Sequence, residues 1–315
     1  MSFKSIHAPD LGVGASSAKQ GGADYHEALI RRQLFLHFIL RYVLGMRFPS
    51  LLLACLTVPI LSAHAGETAW QEVAPGVQLR LIGSGIMKDG KSLLGLEFDM
   101  PDTTKTYWRI PGETGLAPDF DFSASTGIER STVVWPHPQI LNEDYTDFVY
   151  LGDTVLPIEV EASGTAPVAA LSAFLGICSD ICMPVEVSFS LPLLDAKPDR
   201  PNALRIKQAL AEAPIPWSDG MEPLGAVRLD AGANALAVEV QSDAIDLTSL
   251  VVTTASGTPL LGAPQKSQQD DLVLLPILGK TKNSALEGQE VQLSFMTGMG
   301  AFELRRTVVV GQGPN

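Results

Sequence analysis

The sequence predicts two β-sandwiches in series, and three observations carry that expectation. Short runs with apolar side chains at every second position recur from Gln78 onward, as in Leu94, Leu96, Phe98 and Met100. Proline- and glycine-rich segments separate them, for example Pro111 to Pro118. Only one stretch beyond residue 65, Asn202 to Ala213, has helical spacing, with Leu204, Ile206, Ala209 and Leu210 on a common face. At 315 residues and 46% hydrophobic composition, the chain has room for about two ordinary domains.

The first 65 residues differ from the rest. Met46-Arg47 precedes an apolar run from Leu51 to Leu61, which ends in Ala63-His64-Ala65. A charged start, an apolar middle and a small-x-small end are the parts of a secretory signal peptide, with cleavage expected after Ala65. Residues 1–45 then form an upstream extension. Two competing signals are weaker. Phe35 sits one place late for a twin-arginine pattern built on Arg31-Arg32, and the apolar run continues past Cys55, unlike a lipoprotein box. No later segment reaches the roughly 18 apolar residues of a membrane span. The mature chain is therefore expected to be soluble and exported, in a compartment where disulfides persist.

Cleavage changes the charge balance. Of 22 basic and 35 acidic side chains, residues 1–65 hold six and three, which leaves 16 against 32 and a formal charge of −16. Such a surface repels nucleic acid and anionic lipid.

In chain order, strands are expected at Gln78–Ile82, Lys91–Met100, Thr106–Ile110, Asp119–Phe122, Ser131–Trp135 and Thr154–Val160. Two runs around a cysteine pair bring the first region to about eight, a spacing that suggests an immunoglobulin-like β-sandwich over residues 66–195. Residues 196–222 read as a linker. Pro198 and Pro201 precede its short helix, and Pro214 and Pro216 end it. A second β-sandwich-like domain follows at 223–315. Its strands are expected at Ala226–Leu229, Ala235–Val240, Leu250–Thr254, Leu272–Ile277, Val291–Met296 and Phe302–Val310.

The chemistry concentrates in Cys178-Ser179-Asp180-Ile181-Cys182-Met183-Pro184, which holds the only cysteines past Ala65. On one extended strand, residues four apart lie roughly 13 Å from each other. A disulfide needs its Cα atoms within roughly 4.4–6.8 Å. Ser179-Asp180 is turn chemistry, so a hairpin that ends two strands in facing cysteines resolves the conflict. Closure of so short a loop stabilises by only about 2 kcal/mol, and a domain of this size has core enough without it. The balance favours a reactive pair over an inert staple or a metal site.

Residue supply narrows the rest. His137 is the sole histidine after Ala65, so a multi-histidine metal site cannot be assembled, and a Ser-His-Asp triad would have to use His137, with no nucleophile-elbow motif to accompany it. Asp180 lies between the thiols and would favour their protonated form. His137, within Trp135-Pro136-His137-Pro138, is a candidate for tuning the thiols from across the fold, though a loop role is the plainer reading. Tyr145, Phe148 and Tyr150 are candidates for shielding them, and equally for core packing. Met296-x-x-Met299 offers soft ligands for Cu(I), with packing again the plainer reading. No cofactor is expected.

Four stretches together resemble a known family: Thr106-Tyr107-Trp108-Arg109-x-Pro111-Gly112-x-x-Gly115-x-x-Pro118, Trp135-Pro136-x-Pro138, Leu156-Pro157 and Cys178-x-Asp180-Ile181-Cys182-x-Pro184. Over roughly residues 70–195 their order and spacing are similar to the N-terminal (alpha) domain of the thiol–disulfide interchange protein DsbD, with most likeness to ScsB-like suppressor-of-copper-sensitivity proteins. The resemblance implies an immunoglobulin-like domain in which Cys178 and Cys182 relay reducing equivalents. The donor would be a DsbD/CcdA-like membrane protein and the acceptors periplasmic oxidoreductases of thioredoxin fold. It also implies a loop capping the thiols, expected between Pro138 and Tyr150. The three-residue spacing is shorter than in the best-known DsbD domain. The alternatives are a binding module with an inert disulfide, or a Cu(I)-handling protein that uses both thiols as ligands.

Overall fold

The computed structural model describes residues 66–193, 198–218, 220–269, 271–279 and 286–310. The expected signal peptide and extension lie outside them. Among the described residues no helix is long and apolar enough to cross a membrane. The described residues form one compact unit.

The first region is a β-sandwich. One layer contains β1 (Gln71–Ala74), β2 (Val77–Gly83), β3 (Lys91–Asp99), β6 (Ile128–Val133) and β9 (Thr154–Ala162), in the order β1-β2-β3-β9-β6. The other contains β4 (Lys105–Gly112), β5 (Asp119–Asp121), β7 (Gln139–Asn142), β8 (Thr146–Leu151), β10 (Val168–Cys178) and β11 (Cys182–Pro192). Its order is β11-β10-β4-β8-β7, with β5 paired to β10. All of these pairings are antiparallel.

Alternation produces the layers. Leu94, Leu96 and Phe98 of β3 and Leu156, Ile158 and Val160 of β9 face Leu171, Ala173, Leu175 and Ile177 of β10 across one shared core. The strand expectations hold, with boundaries moved by a few residues. β1, β7 and β8 have no counterpart among the expected strands. β8 is buried along most of its length, so Thr146–Leu151 shows little alternation to read.

The helix α1 (Arg200–Ala211) is capped by Asp199, whose side chain accepts from the Asn202 N–H. It buries Asn202, Ala203, Ile206 and Ala209, while Leu204 stays exposed, so the buried face is rotated from the expected one. Helix polarity at Asn202 misleads the periodicity argument. Its amide donates to Gly66 O, Glu67 and Asp199, which lets a polar residue be as fully buried as Ile206. Ile206 lies against Gly95 of β3, so this part of the expected linker is docked on the first sandwich.

The second region comprises β12 (Ile215–Pro216), β13 (Leu224–Asp230), β14 (Ala235–Val240), β15 (Ile245–Thr254), β16 (Gln265–Lys266), β17 (Leu272–Pro276), β18 (Glu290–Thr297) and β19 (Gly300–Val310). The long β19 pairs with β18 along most of its length and with β13 at its end, in parallel there. Strands on both sides of β19 thereby share a core that includes Leu236, Val238, Leu275, Leu293 and Phe295. Val251 of β15 contributes to the first core instead.

Candidate redox site

Cys178 ends β10 and Cys182 begins β11, and the two residues are paired across the hairpin with Cα atoms 4.0 Å apart. Their sulfurs form a disulfide. Ser179, Asp180 and Ile181 make the turn, with the Ser179 hydroxyl 2.7 Å from that of Thr104. Strand parity sets the face. Ile177 and Leu175 point into the core, so Cys178 and Gly176 point out of the sandwich on the far side of the sheet.

The two sulfurs are not equivalent. Cys178 is 1% exposed and belongs to a small outer cluster with Tyr107 and Val149. Cys182 is exposed, between Ile181 at 74% and Met183 at 37%. The Tyr107 hydroxyl donates to the Cys178 sulfur at 2.9 Å and lies 3.6 Å from that of Cys182. Burial pushes the Tyr107 hydroxyl above its ordinary 10.0; nearby Asp147 adds to the rise and a bond with Thr114 opposes it. At neutral pH it is therefore a neutral phenol, able to donate.

Sequence reasoning missed the groups around Tyr107. Lys105 stands opposite Cys178 in the ladder, and its ammonium is 3.2 Å from Asp147 and 5.6 Å from the centre of the Tyr107 ring. Asp147 also accepts from the Thr114 N–H at 3.0 Å and its hydroxyl at 2.6 Å. Burial raises the Asp147 pKa, but the Thr114 bonds and Lys105 more than reverse that, so the carboxyl sits below its ordinary 3.8. The Thr146 N–H donates to Glu113 and the Glu113 N–H to Thr146 O. These bonds fasten the segment after β4 across Tyr107.

That segment explains the Pro111-Gly112-x-x-Gly115 pattern. Gly112 has φ +98° and lies against Thr146 O and Asp147, and Gly115 lies against the Tyr107 ring and Pro111. A Cβ at either place would clash. Leu116 then covers Gly176, next to the disulfide. The loop over this end of the sheet thus comes in part from residues 113–116, outside the interval where a cap was expected.

The remaining candidates are placed as follows. Asp180 is exposed in the turn between the cysteines. Tyr145 is 59% exposed in the β7–β8 turn. Phe148 and Tyr150 face the opposite side of the sheet from Cys178 and fill the inner core, with the Tyr150 hydroxyl donating to Pro136 O at 2.8 Å. They do not shield the disulfide, because their parity on β8 is that of the core. His137 is not brought to the sulfurs either. Its ring nitrogens lie 2.8 Å from the Ser294 hydroxyl and 2.9 Å from Ser249 O, both in the second region. Met299 is exposed in the β18–β19 turn. Among the described residues no group of three or more His, Cys, Asp or Glu side chains is placed to hold a metal ion.

Residues 82–194 match the family described as thiol:disulfide interchange protein DsbD, N-terminal. The match runs from β2 to just past β11 and includes both cysteines. Among solved structures the chain is similar to the crystal structure of the N-terminal periplasmic domain of ScsB from Proteus mirabilis. Identity is 20% and the TM-score 0.60, over 78% of this chain and 100% of that one. That likeness shows the fold. No curated protein matches the chain.

Proposed function

We propose, from the match of residues 82–194 to the DsbD N-terminal family, that this chain relays reducing equivalents in the periplasm by disulfide exchange at Cys178 and Cys182. The reduced pair would be regenerated by a DsbD/CcdA-like membrane donor and would in turn reduce oxidoreductases of thioredoxin fold. The observation that carries the reading is the unequal exposure of one bonded pair: Cys178 is buried and Cys182 is open.

The asymmetry divides the labour. A partner thiolate attacks the Cys182 sulfur, a mixed disulfide forms, and the bonding electron pair leaves on Cys178. The departing thiolate stays beside the Tyr107 hydroxyl, whose hydrogen bond stabilises the developing charge. Cys178 then takes up from water the proton that the attacking thiol released. In the other direction, Cys182 attacks a partner disulfide and Cys178 resolves the adduct. An inert staple needs neither an exposed sulfur nor a donor at the buried one.

Trapping with single-cysteine variants tests the reading. Cys178→Ser should accumulate mixed disulfides through Cys182, and Cys182→Ser should accumulate few. A capture-free result with both variants, or a reduction potential below about −300 mV as in inert structural disulfides, would overturn it.

A further inference from the structure

The edge on which Cys182 sits has its own chemistry. β11 is an outer strand of its sheet, and among the described residues no strand pairs with its other side. Along an antiparallel strand, the N–H and C=O of each residue point to the same side, alternating from one residue to the next. Ser188 O accepts from the Gln71 side chain, across from β10, so Ser188 points outward. By parity Glu186, Pro184 and Cys182 also point outward. Three facts agree with this assignment. Pro184 has no N–H to give β10, Gly176 O opposite it is turned the other way to the Thr106 hydroxyl, and Cys178 and Cys182 are a close pair of the kind without mutual backbone bonds.

We propose that this edge, from Cys182 to Glu186, is a backbone docking strip: an extended segment of the partner protein, lying beside the partner's own cysteine, adds to the sheet there while the sulfurs exchange. The inference rests on the exchange reading of the site and names how the partner is held.

Two geometric requirements coincide at the strip. Displacement at a disulfide sulfur runs along the S–S axis, the attacking sulfur entering opposite the leaving one. Cys178 lies on β10, so a sulfur attacking Cys182 enters from the free side of β11. A disulfide also holds its Cα atoms roughly 4.4–6.8 Å apart, and paired antiparallel strands hold theirs about 4.5–5.5 Å apart. A partner bonded to Cys182 from that side therefore arrives at strand-pairing distance from an open Cys182 N–H and C=O. Pro184 keeps the strip short, since it offers a carbonyl but no N–H, which disfavours a continuous ladder with a second copy of this chain. Ile181 and Met183 give the contact apolar flanks, and Asp180 and Glu186 make it acidic. A partner segment with apolar and neutral or basic side chains fits.

Hydrogen exchange tests the proposal. The full chain carrying Cys178→Ser is joined through Cys182 to a thioredoxin that retains only its attacking cysteine, and in parallel to glutathione. The Cys182 and Glu186 amides should exchange about tenfold more slowly in the thioredoxin adduct than in the glutathione adduct. Equal exchange in the two adducts overturns the strip and leaves the exchange reading standing. Slowing that depends on protein concentration without any adduct overturns it in favour of self-pairing. A native disulfide that dithiothreitol reduces but reduced thioredoxin does not counts against the exchange reading, and the strip with it. As a second variant, Glu186→Pro removes an outward N–H without touching the β10 ladder. It should slow reduction by thioredoxin and leave reduction by dithiothreitol unchanged, while Glu186→Gln, which keeps the N–H, should slow reduction by thioredoxin less than Glu186→Pro does.

Discussion

The hydroxyl of Tyr107 lies 2.9 Å from the buried sulfur of Cys178, on the face of the sheet turned away from the core. A phenol held there by the Gly115 segment is positioned to meet charge on Cys178 at the moment the disulfide opens.

Tyr107→Phe keeps the ring under Gly115 and removes only the donor. A hydrogen bond to a charged group contributes about 1.5 kcal/mol or more, so reduction should slow roughly tenfold. Thiol labelling during treatment with excess dithiothreitol measures the rate, and an unchanged melting temperature verifies the fold. A rate equal to wild type would remove Tyr107 from the mechanism.

The contact between the two β regions should weaken in mild acid. Burial holds the His137 pKa below its ordinary 6.5, opposed by the bond to Ser249 and by the charge of Asp246. A lowered value in the folded state means that the unfolded chain binds the proton more tightly. The stability due to neutral His137 is complete above about pH 6.5 and is lost as pH falls through the lowered value. Melting temperatures across that range should therefore drop more for the wild type than for His137→Gln, which can still hydrogen-bond but does not titrate. Parallel curves would refute the assignment.

The rotated helix face gives a paired comparison. Ile206 is fully buried between α1 and β3, so Ile206→Ala should cost about 2–4 kcal/mol in denaturant unfolding. Leu204 is 58% exposed, and Leu204→Ala should change stability by no more than about 0.5 kcal/mol. Equal losses at both positions would mean that the helix docks by the face its periodicity suggested.

Much of the candidate site was legible because it is local. Two cysteines four residues apart, with turn chemistry between and alternating runs on either side, leave few geometries that satisfy both strand rise and disulfide reach. Lys105 and Asp147 were illegible for the opposite reason. They meet near Tyr107 only because β4 lies between β10 and β8, and that neighbourhood is set by strand order rather than spacing. His137 was open to two readings, a tuning role or a plain loop role, and strand order decides between them: its ring nitrogens are bound to Ser249 and Ser294, more than 100 residues away.

Period-2 alternation by itself determined the β class and most of the strands, because side-chain direction follows from a residue's place in the pleat. The same parity gives the core side of each strand wherever one face is polar. Tertiary structure alone decided which cysteine is exposed, since that depends on β11 being an edge and β10 an interior strand with Tyr107 against it. Neighbours across a sheet are chosen by the whole fold, and no local run of residues encodes them.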